Sequence, residues 1–276
     1  MVELDELFGF GLRFPLTSWA EINTASRVLS VLQAGYTDGG APDVGLQALL
    51  MNLPISDDPA AQPPALVIRG VFKGTQAQAR ATLGPLLAHV TDEAQQIEIW
   101  QQGRYLHLNE ILLQTADPPG IDMPAVSMNT RPLVDCRIIA HHHDPERWRE
   151  IITLILAAPD KTSFISMECY GGAINEIAPD ATAFVHRTDS LDMFAWSFWT
   201  FEDNREDATA WLDEFGQIAE GMGAGRRYQN YVRPGNTDFG TAYFGANLER
   251  LISLKRFYDP DGLFEYEQNL LRCEGA

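Results

Sequence analysis

Strand-like and helix-like stretches follow one another in this chain with short links between neighbouring strands. That order constrains the fold more than any other feature. Residues 8–14 (FGFGLRF) alternate apolar and small residues as a strand does, and Pro15 closes them. Thr17 or Ser18 can cap the next helix with Glu21 in its first turn, and Trp19, Ile22, Ala25, Val28, Leu29 and Leu32 recur at helical spacing up to Gly35. Residues 45–53 (GLQALLMNL) and 65–72 (ALVIRGVF) read as strands around a polar, proline-rich loop. Residues 75–90 read as helix with a kink or break at Gly84-Pro85. A strand over 95–101, a loop over 117–132 and a strand over 133–140 follow. Asp144-Pro145-Glu146 starts a helix that runs to about residue 158, with Asp as cap and Pro at the first helical position. Strands over 163–169 and 191–201, a helix over 205–222 and a last helix over 241–257, stopped by Asp259-Pro260, complete the order. Short strand links favour antiparallel pairing with the helices on one face. The expected class is α+β, an antiparallel β-sheet with helices packed on one face. With no linker, repeat or low-complexity tract, residues 1–276 read as a single domain.

Charge narrows the partners. The chain carries 38 acidic and 20 basic residues, a net charge of −18. Without a basic stripe it offers nothing to a nucleic acid or an anionic membrane. Cys136, Cys169 and Cys273 are an odd set without CxxC spacing, so they read as free thiols in a reducing compartment. The acidic N-terminus has no basic-then-apolar leader, and no apolar run reaches the roughly 20 residues of a membrane span. A cytoplasmic protein is expected.

Several residues can carry chemistry. Tyr228-Gln229-Asn230-Tyr231 pairs two phenols, and a phenol becomes a base when a cation or a second phenol stabilises the phenolate. Arg226, Arg227 and Arg233 lie near in sequence and can supply that field. The alternative is a polar-aromatic segment packed on the core. Glu168-Cys169-Tyr170 runs into Gly171-Gly172, a turn that permits close approach to a ligand. His186-Arg187 can orient an anion, or simply sit hydrogen-bonded in a turn. Alternation over 191–201 sends Asp192, Phe194, Trp196 and Phe198 to one face. A carboxylate on an aromatic wall suits a planar or polycyclic ligand, and burial there would raise its pKa; the alternative is a two-sided core strand. His141-His142-His143 invites a metal, but Asp144 already caps a helix and no distant Cys or His pair completes a zinc set. No metal is expected. GxGxxG, Walker and GxSxG spacings are absent. Phe244, Leu248, Leu251, Leu254 and Tyr258 fall near one stripe of the last helix and read as core.

Three segments together resemble the berberine-bridge-enzyme-like FAD-linked oxidases. Glu168-Cys169-Tyr170-Gly171-Gly172 with Ala183-Phe184-Val185-His186-Arg187 is similar to that family's strand, double glycine and Phe-Pro-His-Arg pattern, with Val185 in place of the proline. Tyr228-x-Asn230-Tyr231 resembles its Tyr-x-Asn-Tyr motif. Tyr243-Phe244-Gly245-x-Asn247-x-x-Arg250-Leu251, Lys255, Tyr258-Asp259-Pro260, Phe264 and Gln268 resemble its C-terminal region, here about 226–270.

The resemblance implies the substrate domain of a vanillyl-alcohol-oxidase-type flavoprotein, whose antiparallel sheet roofs the flavin ring. It implies Tyr231 as the base, with Tyr228 and Asp192 as further catalytic residues and Asn230 beside the cofactor. Glu168, Tyr170, Phe194, Trp196 and His186 would contact substrate. FAD would be held by a partner chain or a missing domain, because no stretch here resembles the family's flavin-binding region. The expected partners are a small molecule with either an FAD-binding subunit or a second copy of the chain. The expected activity is oxidation of an alcohol, a sugar or a polycyclic secondary metabolite. The alternative is a flavin-free domain used for binding or as a non-redox cyclase.

Overall fold

The computed structural model describes residues 7–37, 40–52, 63–90, 101–108, 131–140, 142–188, 191–199, 202–223 and 225–273. Seven strands among them form one antiparallel sheet: β1 (Leu7–Pro15), β2 (Val44–Asn52), β3 (Pro64–Lys73), β4 (Gln101–Gly103), β5 (Arg131–Ile139), β6 (Phe164–Cys169) and β7 (Leu191–Trp199). The order across the sheet is β4-β1-β3-β2-β6-β7-β5. Three long helices cover one face: α1 (Trp19–Tyr36), α4 (Pro145–Leu156) and α5 (Glu202–Glu220). The short α2 (Gln76–Thr82) and α3 (Gly84–Leu87) are separate, as the Gly84-Pro85 step requires.

The caps are where the residue types put them. Ser18 and Glu21 close a reciprocal capping box on α1, and Asp144 accepts the Arg147 N–H at 3.1 Å to start α4. Alternation then decides what each strand buries. Phe10, Leu12, Leu50, Leu66, Ile68, Ile165, Met167 and Met193 face Leu29, Leu32, Trp148, Ile152, Leu212 and Phe215 of the helices. Each such side chain contributes about 1.5–3 kcal/mol when fully buried. Gly70 is needed in β3 because a Cβ there would meet the Gly45 carbonyl oxygen at 2.2 Å and the Phe10 ring at 2.7 Å.

The topology repeats although the residues show no repeat. β1-α1-β2-β3 and β5-α4-β6-β7 follow the same path, and β2 pairs with β6 at the join. The two related helices, α1 and α4, pack on each other. Ser30 of α1 donates to the His143 carbonyl at 2.9 Å, and His143 bonds the Met222 carbonyl through Nε2 at 2.8 Å. His142 and His143 therefore clamp helices together; His141 lies outside the described residues.

Two expectations change. The helix expected over 241–257 is two helices, α6 (Phe239–Phe244) and α7 (Leu248–Tyr258), parted where Gly245 takes a φ of 47°. The stripe read as core is not fully buried: Phe244, Leu248 and Leu251 are half-buried, Leu254 is 40% and Tyr258 77% exposed, and Ile252 is the buried residue of α7. α7 packs on α6 and on the turn Leu270–Cys273 rather than on the sheet. The strand expected over 95–101 and the loop over 117–132 lie almost wholly outside the described residues. Among those residues no helix is long and apolar enough to cross a membrane.

Candidate active site

The strand register builds the site on the sheet face away from the long helices. Residues directly opposite on antiparallel strands project to the same face. Arg69 lies opposite Gln47, Gln47 opposite Glu168, and Glu168 opposite Asp192, so four polar side chains cross four strands in one row. Arg69 donates to Gln47 Oε1 through Nε at 3.0 Å and through its terminal nitrogen at 2.7 Å. Gln47 Nε2 in turn donates to Ser166 Oγ at 2.9 Å and to Glu168 Oε1 at 3.4 Å. The next row sets Phe194 opposite Ser166 and Cys136. On the β2–β3 side, Leu49, Met51, Ala65 and Val67 form a buried apolar cluster.

Loops after β6 and after α5 complete the site. Gly171 and Gly172, with φ of 126° and 52°, turn the chain so that Tyr170 donates its hydroxyl to Asp192 Oδ2 at 3.3 Å. The Tyr231 ring lies 4.3 Å from the Phe194 ring at 31°, with Tyr228 edge-on at 5.5 Å and Trp196 at 6.5 Å. Phe184 closes the ring set, 5.9 Å from both Tyr170 and Tyr228. Asn230 is exposed and donates to the Tyr228 hydroxyl at 2.8 Å, so it orients a phenol. Of the nine residues expected at the site, His186 alone is set back. It is fully buried behind Phe184, bonded to backbone groups of Arg227 and Tyr243. Burial and the charges of Arg226 and Arg187 push it down to about 4.

The C-terminal motif residues hold this arrangement in place. Asn247 donates to the carbonyls of Pro179 at 2.7 Å and Thr182 at 3.1 Å, and Arg250 to that of Asp180 at 3.2 Å. They fasten the loop that carries Tyr170 at one end and Phe184 near the other. Gln268 donates to the Arg233 carbonyl at 2.8 Å, beside the Tyr228–Tyr231 turn. Asp259 accepts the N–H groups of Leu263 and Phe264 and pairs with Lys255.

Electrostatics separate the acids from the phenols. Asp192 is fully buried, and burial together with the Glu168 charge pushes it up to about 8. Glu168 is raised by burial and held back by Arg69. Burial lowers Arg69 to about 10. Tyr231 and Tyr170 are raised well above the usual phenol range by burial and by the two carboxyls. Two of the three cations expected to support a phenolate pair with other acids: Arg233 with Asp213 at 2.5 Å, and Arg227 with Asp135 at 3.9 Å. Both arginines line a polar cavity of about 540 Å³ beside α5. Among the described residues no cluster of three His, Cys, Asp or Glu could hold a metal.

Sequence reasoning missed Arg69, Gln47 and Cys136. The available signal for Gln47 and Arg69 was a polar residue in the middle of each of two largely apolar strands, GLQALLMNL and ALVIRGVF.

Known proteins agree with this fold and with the motif. Residues 227–270 match the family model "Berberine and berberine like". An uncharacterized FAD-linked oxidoreductase of Bacillus subtilis, YgaK, is 29% identical over 115 residues, covering 41% of this chain and 25% of that protein. Berberine bridge enzyme-like 6 of Arabidopsis thaliana is 30% identical over 118 residues, covering 37% and 21%. The structure of Physcomitrella patens BBE-like 1 superposes with a TM-score of 0.75 at 15% identity, over 98% of this chain and 55% of that one. The chain thus spans well under two thirds of the length of the relatives it matches.

Proposed function

We propose that this chain, a berberine-bridge-enzyme-like protein by its C-terminal region and its fold, is the substrate-binding half of an FAD-dependent oxidase. Its substrate would be an alcohol, a sugar or a polycyclic secondary metabolite, with the flavin held by another polypeptide or domain. The observation that carries this reading is the buried Asp192 and its neighbour Glu168 beside the rings of Tyr170, Tyr228 and Tyr231.

The face fits the ring side of a flavin, because Trp196 on β7 and Tyr231 on the loop over it are half-buried aromatic surfaces. It does not fit a diphosphate: Arg69, the guanidinium of the polar row, is buried and turned onto Gln47. When bound, the flavin would supply the hydride acceptor. The chain's own residues would bind and orient the substrate and take its proton.

Asp192 suits the proton-accepting role better than Tyr231. An acid near 8 is matched to a neutral or mildly alkaline site, whereas burial and the charges of Glu168 and Asp192 disfavour the Tyr231 phenolate. Tyr170 would steady the carboxyl, and Tyr231 would form the wall against which the substrate lies. Because Asp192 accepts a proton only when ionised, turnover rises with pH through about 8.

The test is an absorbance spectrum of the chain alone and after co-expression with a flavin-domain protein. A flavin band in the complex, with turnover lowered about 10²–10⁴-fold by Asp192→Asn, is the expected result. A flavin band in neither sample overturns the reading. If Tyr231→Phe lowers turnover as far as Asp192→Asn does, the base assignment reverts to Tyr231.

A further inference from the structure

We propose that Arg69 and Gln47 are positioning residues that keep Glu168 charged and thereby leave Asp192 as the carboxyl holding the exchangeable proton of the site. As a statement about catalysis this rests on the oxidase reading. As a statement about where the proton sits it stands alone.

The geometry is a directional chain. Two N–H groups of Arg69 converge on Gln47 Oε1, at 3.0 and 2.7 Å. That fixes which way the amide points, because its oxygen is taken. Gln47 Nε2 must then face across the sheet, where it meets Ser166 Oγ at 2.9 Å and Glu168 Oε1 at 3.4 Å. A neutral amide so passes the field of a buried guanidinium to the carboxyl on the next strand but one. Donation to a carboxylate favours its charged form.

Asp192 lies on the other side of Glu168 in the same row, directly opposite it in register. Two carboxyls so close do not both ionise readily. Asp192 is the worse placed of the two to carry charge. It is fully buried while Glu168 is half-buried. Its Oδ2 accepts from Tyr170 at 3.3 Å, but among the described residues nothing bonds its buried Oδ1. A charged oxygen without a donor is unfavourable in such a place, and a protonated one is not. Among the described residues, the other titratable groups facing Asp192 are Cys136 on β5 and Tyr228 and Tyr231 on the loop above. All are neutral at physiological pH, so the choice lies between the two carboxyls. Burial and Glu168 together outweigh the Tyr170 bond, in keeping with a titration near 8.

The isolated chain is sufficient for the test. The infrared carbonyl band of a buried protonated carboxylic acid is followed against pH and assigned by its loss in Asp192→Asn. The wild type is expected to show that band at pH 7 and lose it with a midpoint near 8. In Glu168→Gln, where the neighbouring charge is gone, the midpoint falls by about 1 unit or more. In Arg69→Met and in Gln47→Leu, a second protonated-carboxyl band appears at neutral pH, and Arg69→Lys removes it again. If Arg69→Met does not fold, the comparison of Gln47→Leu with Arg69→Lys decides the matter. An unchanged single band in the folded Arg69→Met or Gln47→Leu variant overturns the proposal, and so does a wild type lacking the band at pH 7. Neither outcome bears on whether a flavin partner exists, and a failed flavin reconstitution leaves this titration untouched.

Discussion

Cys136 lies under the Tyr228–Tyr231 turn and shows how much one side chain can hold. Its sulfur accepts the Tyr228 N–H at 3.2 Å, and its thiol reaches back to the Tyr228 carbonyl at 3.6 Å. It also stands opposite Phe194, against whose ring Tyr231 lies tilted. Burial pushes the thiol far above its usual range, so it acts here as a neutral hydrogen-bonding group rather than a nucleophile. Cys136→Ala removes the sulfur and leaves a half-buried N–H without an acceptor. It should cost about 1–3 kcal/mol in urea denaturation, with Cys136→Ser losing less. In the sequence Cys136 is one thiol among three, and nothing local marks it. Its role depends on a contact with residue 228, across a span that no periodicity describes.

The terminal helical segment illustrates the next scale. Its motif suggests chemistry, yet its polar residues are ties between loops. Asn247, buried at the start of α7, donates to two carbonyls of the loop that frames Tyr170 and Phe184. Asn247→Ala should lower stability by about 1–2 kcal/mol and open residues 176–183, which are already exposed, to limited proteolysis. Protection equal to the wild type would mean that the loop is held by something else. The stop at Asp259-Pro260 and the caps at Ser18 and Asp144 were legible because they rest on neighbours in the chain. The break at Gly245 was not. The residues around it keep a helical rhythm, and only the turn that brings Asn247 onto residues 179–182 requires the positive φ.

At the scale of the whole molecule, the buried acid makes stability depend on pH. The folded state holds the Asp192 proton up to about 8, while the unfolded chain releases it in the ordinary carboxylate range. Asp192 therefore contributes most at low pH, and its contribution is lost as pH rises towards 8. The difference in unfolding free energy between wild type and Asp192→Asn should shift against the wild type over that interval and level off above it. A difference independent of pH would show that Asp192 titrates in the folded protein as it does in the unfolded chain. What the sequence by itself determined was local: helix starts and stops, strand alternation, the aromatic face of β7 and the Tyr-x-Asn-Tyr turn. Those follow from propensity and from contacts a few residues apart. The tertiary structure decided the rest. Cross-strand register brought Gln47 and Arg69 into line with Glu168, although 119 or more residues separate Gln47 from its partners Ser166 and Glu168. Register also set Asp192 beside a like charge, and the packing of the 225–238 loop turned Arg227 and Arg233 away from Tyr231. Charge states in a buried site are set by such neighbours in space, and spatial neighbours on different strands leave no periodic trace in the chain.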